Sequence, residues 1–408
     1  MRRRCASWNG VCSRAGMELE IPEATENVAC PLCGGSAAIV VAEKGRFGMP
    51  VRNVCCETCA CVYVTPRPSA AAMGSYYRST YRKHYGAVGY MSESGMPVSP
   101  GEPGYDAALE QWHQQQASNA VALTAPARGA RVLEIGCRHG KTLQLMRERA
   151  GIEAFGIEPG ENEAEQARQA GIDCFTGALE AFEPGERRFD QIQWFHVLEH
   201  VHQPLEALIK LRSLLAPGGK LLIEVPNVYQ PYGLLEENFF QNVHLVSYSP
   251  NTLPALVRRA GFEIARVVDA GSLFVVATPS ALAEDATLPL PYAPSLLEAP
   301  HEDAAWLAVR LRSYANLEKL KLLLRHRGAS TELTATLVRA LAFPAFSGHL
   351  VDSCAFFVET LLGQGKLDDA LLVTLAVAQG PHPPELRAEF RGFAERLGAP
   401  PDALAATG

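Results

Sequence analysis

Between residues 131 and 278, short apolar runs alternate with stretches of helical periodicity. The runs Arg131–Ile135, Glu153–Ile157, Asp173–Thr176, Asp190–Trp194 and Lys220–Val225 are short enough to be strands covered on both faces. Leu205–Leu215 repeats apolar residues at helical spacing and meets a stop signal at Ala216–Gly219. This alternation predicts a parallel sheet flanked by helices. Glu263–Asp269 and Leu273–Thr278, separated by Ala270–Ser272, predict a terminal hairpin, which makes the last strand antiparallel. Residues 301–398 differ: leucine and alanine recur at helical spacing with no strand pattern. Within them, Leu361–Leu371 resembles one tetratricopeptide-type turn, with no second copy to make an array.

These textures divide the chain. Residues 1–27 read as a disordered start, with Met1 and Met17 both open as the first residue, and 28–68 as a compact cysteine-rich module. Residues 69–115 form linker or lid helices, carrying Tyr76, Tyr77, Tyr81, Tyr85 and Tyr90 and the Ser-, Gly- and Pro-rich loop Ser92–Gly104. The α/β core covers 116–280, a Pro-rich connector 281–300, and a helical domain 301–408.

Composition narrows the function classes. A chain of 408 residues exceeds what one core usually holds, and its 48% hydrophobic and 20% charged residues are ordinary for a globular protein. The net charge of −7 argues against a general electrostatic grip on nucleic acid or anionic membrane. The expectation is therefore a small-molecule substrate, with no nucleic-acid and no membrane partner. No apolar run is long enough to span a bilayer, and the basic start Met1–Cys5 leads into no apolar signal region. A cytoplasmic location is expected.

Eight of the eleven cysteines lie in residues 1–61. Without a secretory signal, such clustering points to metal before disulfides. Cys30 and Cys33 form one C-x-x-C knuckle, and Cys56 and Cys59 form another. Each knuckle turns two thiolates onto one ion, so together they complete a tetrahedral zinc site. With no position left open, this zinc is structural. Cys55 and Cys61 are substitutes at poorer spacing.

The run Val132–Gly140 reads as a buried strand entering a glycine turn and then a helix, and Gly156–Pro159 as the next strand, ending in a carboxylate. That pairing suits a nucleotide-like ligand: glycine lets the backbone approach, and Glu158 accepts hydrogen bonds from ribose hydroxyls. The G-x-G-x-x-G spacing of NAD enzymes is missing. Glu134, Gly136, Cys137, Arg138 and Gly140 instead resemble the acidic-start glycine motif of class I S-adenosylmethionine (SAM)-dependent methyltransferases, with Arg138 where a small residue is usual. Asp190–Val201 and Pro217–Asn227 resemble the same family, closest to its zinc-module-containing branch acting on sugars and natural products.

The resemblance covers residues 28–278 and implies a Rossmann-like class I methyltransferase core, an N-terminal zinc-binding module and SAM as cofactor. The C-terminal helical domain lies outside it. The resemblance also implies site roles. Glu134 acts through the methionine ammonium, Glu158 and Pro159 lie at the ribose, Ala178 and Leu179 at the adenine, and Phe195 and His196 on the cofactor's other side. The implied activity is methyl transfer to a hydroxyl of a sugar or specialised metabolite. C-methylation of a keto-sugar nucleotide is the alternative, although Gln241–Val243 replaces the tyrosine and glutamate those enzymes carry before the histidine. A non-catalytic methyltransferase-like scaffold is the alternative of another class. The helical tail then serves homodimerisation, partner docking or substrate cover.

The acceptor chemistry falls to His200 and His244, either as general base or as loop-ordering residues. His196, Glu199 and His200 also match the H-x-x-E-H pattern of inverted zinc proteases, but they follow a strand inside the methyltransferase framework and lack a clear third ligand. Tyr229, Tyr232, Phe239, Phe240 and Tyr248 form an aromatic stretch expected to line the substrate pocket.

Overall fold

The structure, a computed structural model, describes residues 24–79, 90–91, 97–98, 101–283, 288–298, 304–341, 345 and 347–405. Residues 1–23 of the expected disordered start (1–27), the tyrosines at 81 and 85 and most of the loop after residue 91 lie outside them. Within that start, Thr25 and Glu26 form a strand paired antiparallel with Pro68 and Arg67. The chain forms two compact units.

The cysteine-rich segment contributes three antiparallel strands, β1 (Ala38–Lys44), β2 (Pro50–Cys56) and β3 (Val62–Val64). Ala38 stands opposite Cys56 in the first pairing, and Asn53 opposite Val64 in the second.

The larger unit begins with α1 (Ala70–Ser79) and α2 (Tyr105–Thr124). It then alternates β4 (Arg131–Ile135), α3 (Lys141–Ala150), β5 (Glu153–Glu158), α4 (Glu161–Gln169), β6 (Asp173–Thr176), β7 (Phe189–Phe195), α5 (Pro204–Leu214) and β8 (Leu215–Pro226). Helix α6 (Thr252–Arg259) leads into the hairpin of β9 (Phe262–Ala270) and β10 (Ser272–Pro279). These strands make one sheet in the order β6-β5-β4-β7-β8-β10-β9. The first five are parallel, and β10 runs antiparallel to both neighbours, as the hydrophobic pattern predicts.

The order starts at β4 and grows in opposite directions from there, so the topological switch point lies between β4 and β7. At such a point open α/β sheets bind ligands in the crevice beyond the carboxyl ends of the strands. Fully buried Val132, Leu143, Met146 and Leu222 pack with Ala117 and Ala120 of α2, which fastens that helix over the sheet. Each buried leucine contributes on the order of 2 kcal/mol of transfer free energy.

The second unit joins β1–β3 with residues 228–242 and a run of helices: α7 (Ala304–Arg327), α8 (Thr331–Leu341), α9 (Ser347–Gly363), α10 (Leu367–Gln379) and α11 (Pro384–Arg396). Leu317, Leu324, Leu337, Leu341, Phe357, Leu361, Val373 and Val377 fill its helical core with no solvent exposure. A second cluster packs Cys55 and Val62 against Phe239, Phe240, Leu307 and Leu311. The sequence pattern placed residues 228–242 in the α/β core and kept the cysteine module separate from the helical tail; the contacts group all three. Among the described residues, no helix is long and apolar enough to cross a membrane.

Candidate functional site

The turn after β4 is built on left-handed backbone. Gly136 and Gly140 adopt φ of 71° and 75°, and a Cβ on Gly136 would lie 2.7 Å from a Val197 methyl. Conformation and packing therefore both demand glycine there. Arg138 also takes a left-handed φ of 51°, yet it fits because its side chain is exposed. Its backbone N–H donates to Glu158 Oε2 at 2.9 Å, while Gly160 N–H donates to Oε1 at 2.8 Å. Two backbone amides thus aim the Glu158 carboxylate at the mouth of the turn. Burial raises its pKa above the usual carboxylate range, against the pull of those two amides.

Glu134 sits one strand over and is 5% exposed. Gln193 Nε2 donates to its Oε2 at 2.7 Å, and Gln191 Nε2 donates to Gln193 Oε1 at 2.9 Å. This relay runs beneath the sheet's carboxyl end. Burial pushes the Glu134 carboxyl up to about 8, despite the Gln193 hydrogen bond. Sequence reasoning missed the two glutamines. The signal was available: two glutamines two apart, alternating with the apolar Ile192 and Trp194, share one face of the sheet. Cys137, in the turn, places its sulfur 3.7 Å from that of Cys174 on β6, and both residues are buried.

On the far side of the crevice, the ends of β7 and β8 carry a second polar group. His196 takes a left-handed φ of 53°, and its N–H donates to Glu224 O at 2.8 Å. Its Nε2 lies 3.2 Å from Glu224 Oε1 and its Nδ1 3.7 Å from Glu199 Oε1. Burial disfavours charge on this imidazole, but Glu224 and Glu199 outweigh it and raise the pKa to about 10. His196, expected beside the cofactor, is therefore a cation held by two carboxylates. His200 is its opposite. Burial lowers its pKa below the ordinary histidine value, against the Glu199 charge and a hydrogen bond to Val243 O at 2.8 Å. His244 is 8% exposed and stacks edge-on to His200 with ring centroids 4.8 Å apart. The pair expected to act at the acceptor is brought together from segments 44 residues apart.

The remaining expected positions are mixed. Ala178 precedes a short helical turn in which Leu179 is buried, directly after β6, and Pro159 follows β5 on the surface. Phe195 is 7% exposed and packs with Cys137 and Cys174. The aromatic wall needs correcting. Phe239 and Phe240 are 1% and 0% exposed and Tyr229 packs on their cluster, so these rings fill the core of the second unit. Tyr248 is 1% exposed, and Tyr232 alone of the five is open, at 45%. An aromatic run reads alike whether it lines a cavity or fills one.

Each cysteine knuckle is a tight turn. Gly34 N–H donates to Cys30 O at 2.9 Å, and Ala60, with a left-handed φ of 56°, donates to Cys56 O at 2.9 Å. Cys30 and Cys33 belong to one compact unit and Cys56 and Cys59 to the other. Two thiols at C-x-x-C spacing in each knuckle are a donor set that fits zinc.

Residues 109–267 match a family described as a methyltransferase domain. A tRNA U34 carboxymethyltransferase of Syntrophotalea carbinolica is 33% identical over 156 residues, covering 36% of this chain and 48% of that protein. Further bacterial proteins of the same name align at similar coverage. A ubiquinone biosynthesis O-methyltransferase of Roseobacter denitrificans is 35% identical over 105 residues, 24% of this chain and 42% of that one. The solved magnesium protoporphyrin IX methyltransferase of Synechocystis aligns with 52% of this chain and 96% of its own at 17% identity, with a TM-score of 0.36. The chain spans about half the length of the curated relatives it matches.

The chain thus contains a class I, SAM-dependent methyltransferase domain. The relatives correct two expectations. Those named for their substrate point to tRNA modification, which overturns the sugar or specialised-metabolite acceptor and the exclusion of nucleic acid. The physical fault lay in reading a chain-wide net charge as a statement about local recognition. A protein that reads one nucleoside needs a few placed contacts, not an overall positive field.

Proposed function

We propose that this protein is a SAM-dependent transferase whose acceptor is a nucleoside in tRNA. The observation that carries the reading is the likeness of about 156 residues of the chain, at 33% identity, to a tRNA U34 carboxymethyltransferase, repeated in further proteins of that name. Glu158 accepts from the ribose hydroxyls and Glu134 meets the methionine ammonium. Gly136 and Gly140 leave room for the cofactor, Arg138 keeps its side chain outside, and Cys137, Ala178 and Leu179 border it. The acceptor oxygen lies toward His200 and His244. As the oxygen–carbon bond forms, the sulfur–carbon bond breaks, sulfur keeps the electron pair, and the acceptor's proton leaves on the His200–His244 side. Rate comes mainly from holding the two reactants in line. His196, already charged and paired, fixes the loop and takes no proton.

The two C-x-x-C knuckles support a structural zinc, which when bound would be held by Cys30, Cys33, Cys56 and Cys59 and supply no chemistry.

Incubation of the full chain with methyl-labelled SAM and unmodified total tRNA tests the acceptor. Label should enter RNA and be released by ribonuclease. Intact SAM binding with no label in any RNA would overturn the acceptor class and leave the cofactor assignment standing.

A further inference from the structure

We propose that Glu199, His200 and His244 form a site for one divalent transition-metal ion, distinct from the four cysteines, which receives the acceptor oxygen. The inference deepens the reading above, since it rests on this group facing the acceptor. One ligand atom from each residue falls within a set mutually closer than 4.8 Å. Glu199 is 2% exposed, and its Oε2 is buried without a hydrogen-bond partner. A buried carboxylate oxygen left unsatisfied is costly, and a cation between it and two imidazoles removes the cost.

The histidine geometry is the second, independent observation. Val243 O lies 2.8 Å from His200 Nδ1 and accepts its proton, which leaves the lone pair on Nε2. Such a carbonyl partner is the usual second support of a metal-bound histidine. His200 Nε2 stands 3.8 Å from Glu199 Oε1, too far for a hydrogen bond. Two ligands each about 2.1 Å from one tetrahedral ion stand roughly 3.4 Å apart, so a few tenths of an ångström of closure completes the pair. Leu245 N–H donates to Glu199 O at 2.7 Å and ties the backbone beside His244 to the backbone of Glu199.

Two imidazole nitrogens and one carboxylate oxygen suit zinc, iron or manganese, and three protein ligands leave a coordination position open. An acceptor hydroxyl bound there acidifies, its proton passes to solvent, and the resulting oxyanion attacks the methyl carbon while the sulfonium sulfur keeps the electron pair of the breaking bond.

Mn2+ is the probe, because a closed four-thiolate site disfavours it. Titration of the full chain, with free Mn2+ counted by electron paramagnetic resonance, should show one bound ion per chain. Glu199→Gln and His244→Ala should each weaken that binding by about tenfold or more while leaving SAM binding unchanged. Absence of binding to the unaltered protein, or unchanged binding in both variants, overturns the site. Undiminished transfer to RNA by protein that binds no Mn2+ would sink the metal and keep the function. Tight Mn2+ binding without transfer to RNA would do the reverse.

Discussion

Glu158 and Glu134 are both buried acids at the ends of adjacent strands, but their surroundings set them different tasks. Glu158 is aimed by two backbone amides, so Glu158→Ala should weaken SAM binding by about tenfold or more, through lost hydrogen bonds to the ribose. Calorimetry checks this, with an unchanged unfolding midpoint showing that the fold is intact. Glu134 holds its proton up to about pH 8. Its raised pKa means that the free protein is mostly protonated there at neutral pH, and a cation arriving at it must displace that proton. SAM affinity should therefore rise as pH increases between about 6 and 7.5, by up to about tenfold per unit, and Glu134→Gln should flatten the profile. A flat profile in the unaltered protein would show that Glu134 does not meet the ammonium. The acids were legible in the sequence because each ends a recognisable strand. Gln193, which orients one of them, was not read, and the pairing of His200 with His244 rests on contact between distant segments.

At the scale of elements, hydrophobic period located the strands: Arg131–Ile135 and Asp173–Thr176 match their predicted bounds, and the hairpin of β9 and β10 is antiparallel as expected. The strand expected at Lys220–Val225 instead starts earlier, at Leu215, and runs through the expected stop at Ala216–Gly219. Buried strands carry their signal locally. The turn after β4 is equally local, and its glycine can be tested. Gly136→Ala should cost about 1–2 kcal/mol for the left-handed backbone alone, and more once the Val197 methyl is met. Chemical denaturation measures the loss, and SAM binding should fall with it. The aromatic run at residues 229–248 misled because side-chain type does not say which surface will cover it. In the helical unit, Phe357→Ala should cost about 3–5 kcal/mol, since the ring is wholly buried among leucines. A change much below 1 kcal/mol in the denaturation curve would mean that this core is not packed as described.

For the whole molecule, composition led to an expectation of more than one core but could not say which segments would share one. Chain-wide charge was a worse guide, because the acceptor class depends on local contacts. The proposed zinc at the cysteine knuckles is tested with a strong chelator, which should loosen the segment around β1–β3, seen as faster amide exchange there, with exchange in β4–β8 held. Uniform exchange before and after chelation would argue against structural zinc.

The second unit draws its parts from both ends of the chain. During synthesis, the apolar face around Cys55 and Val62 leaves the ribosome some 250 residues before Leu307 and Leu311, which cover it. At about 5–20 residues per second, that face waits roughly 10–50 s for its partners. A fragment ending near residue 300 would keep Phe239 and Phe240 but lack Leu307 and Leu311 permanently. Expression of the methyltransferase portion alone should therefore yield an aggregation-prone product, even though every residue of its own sheet is present.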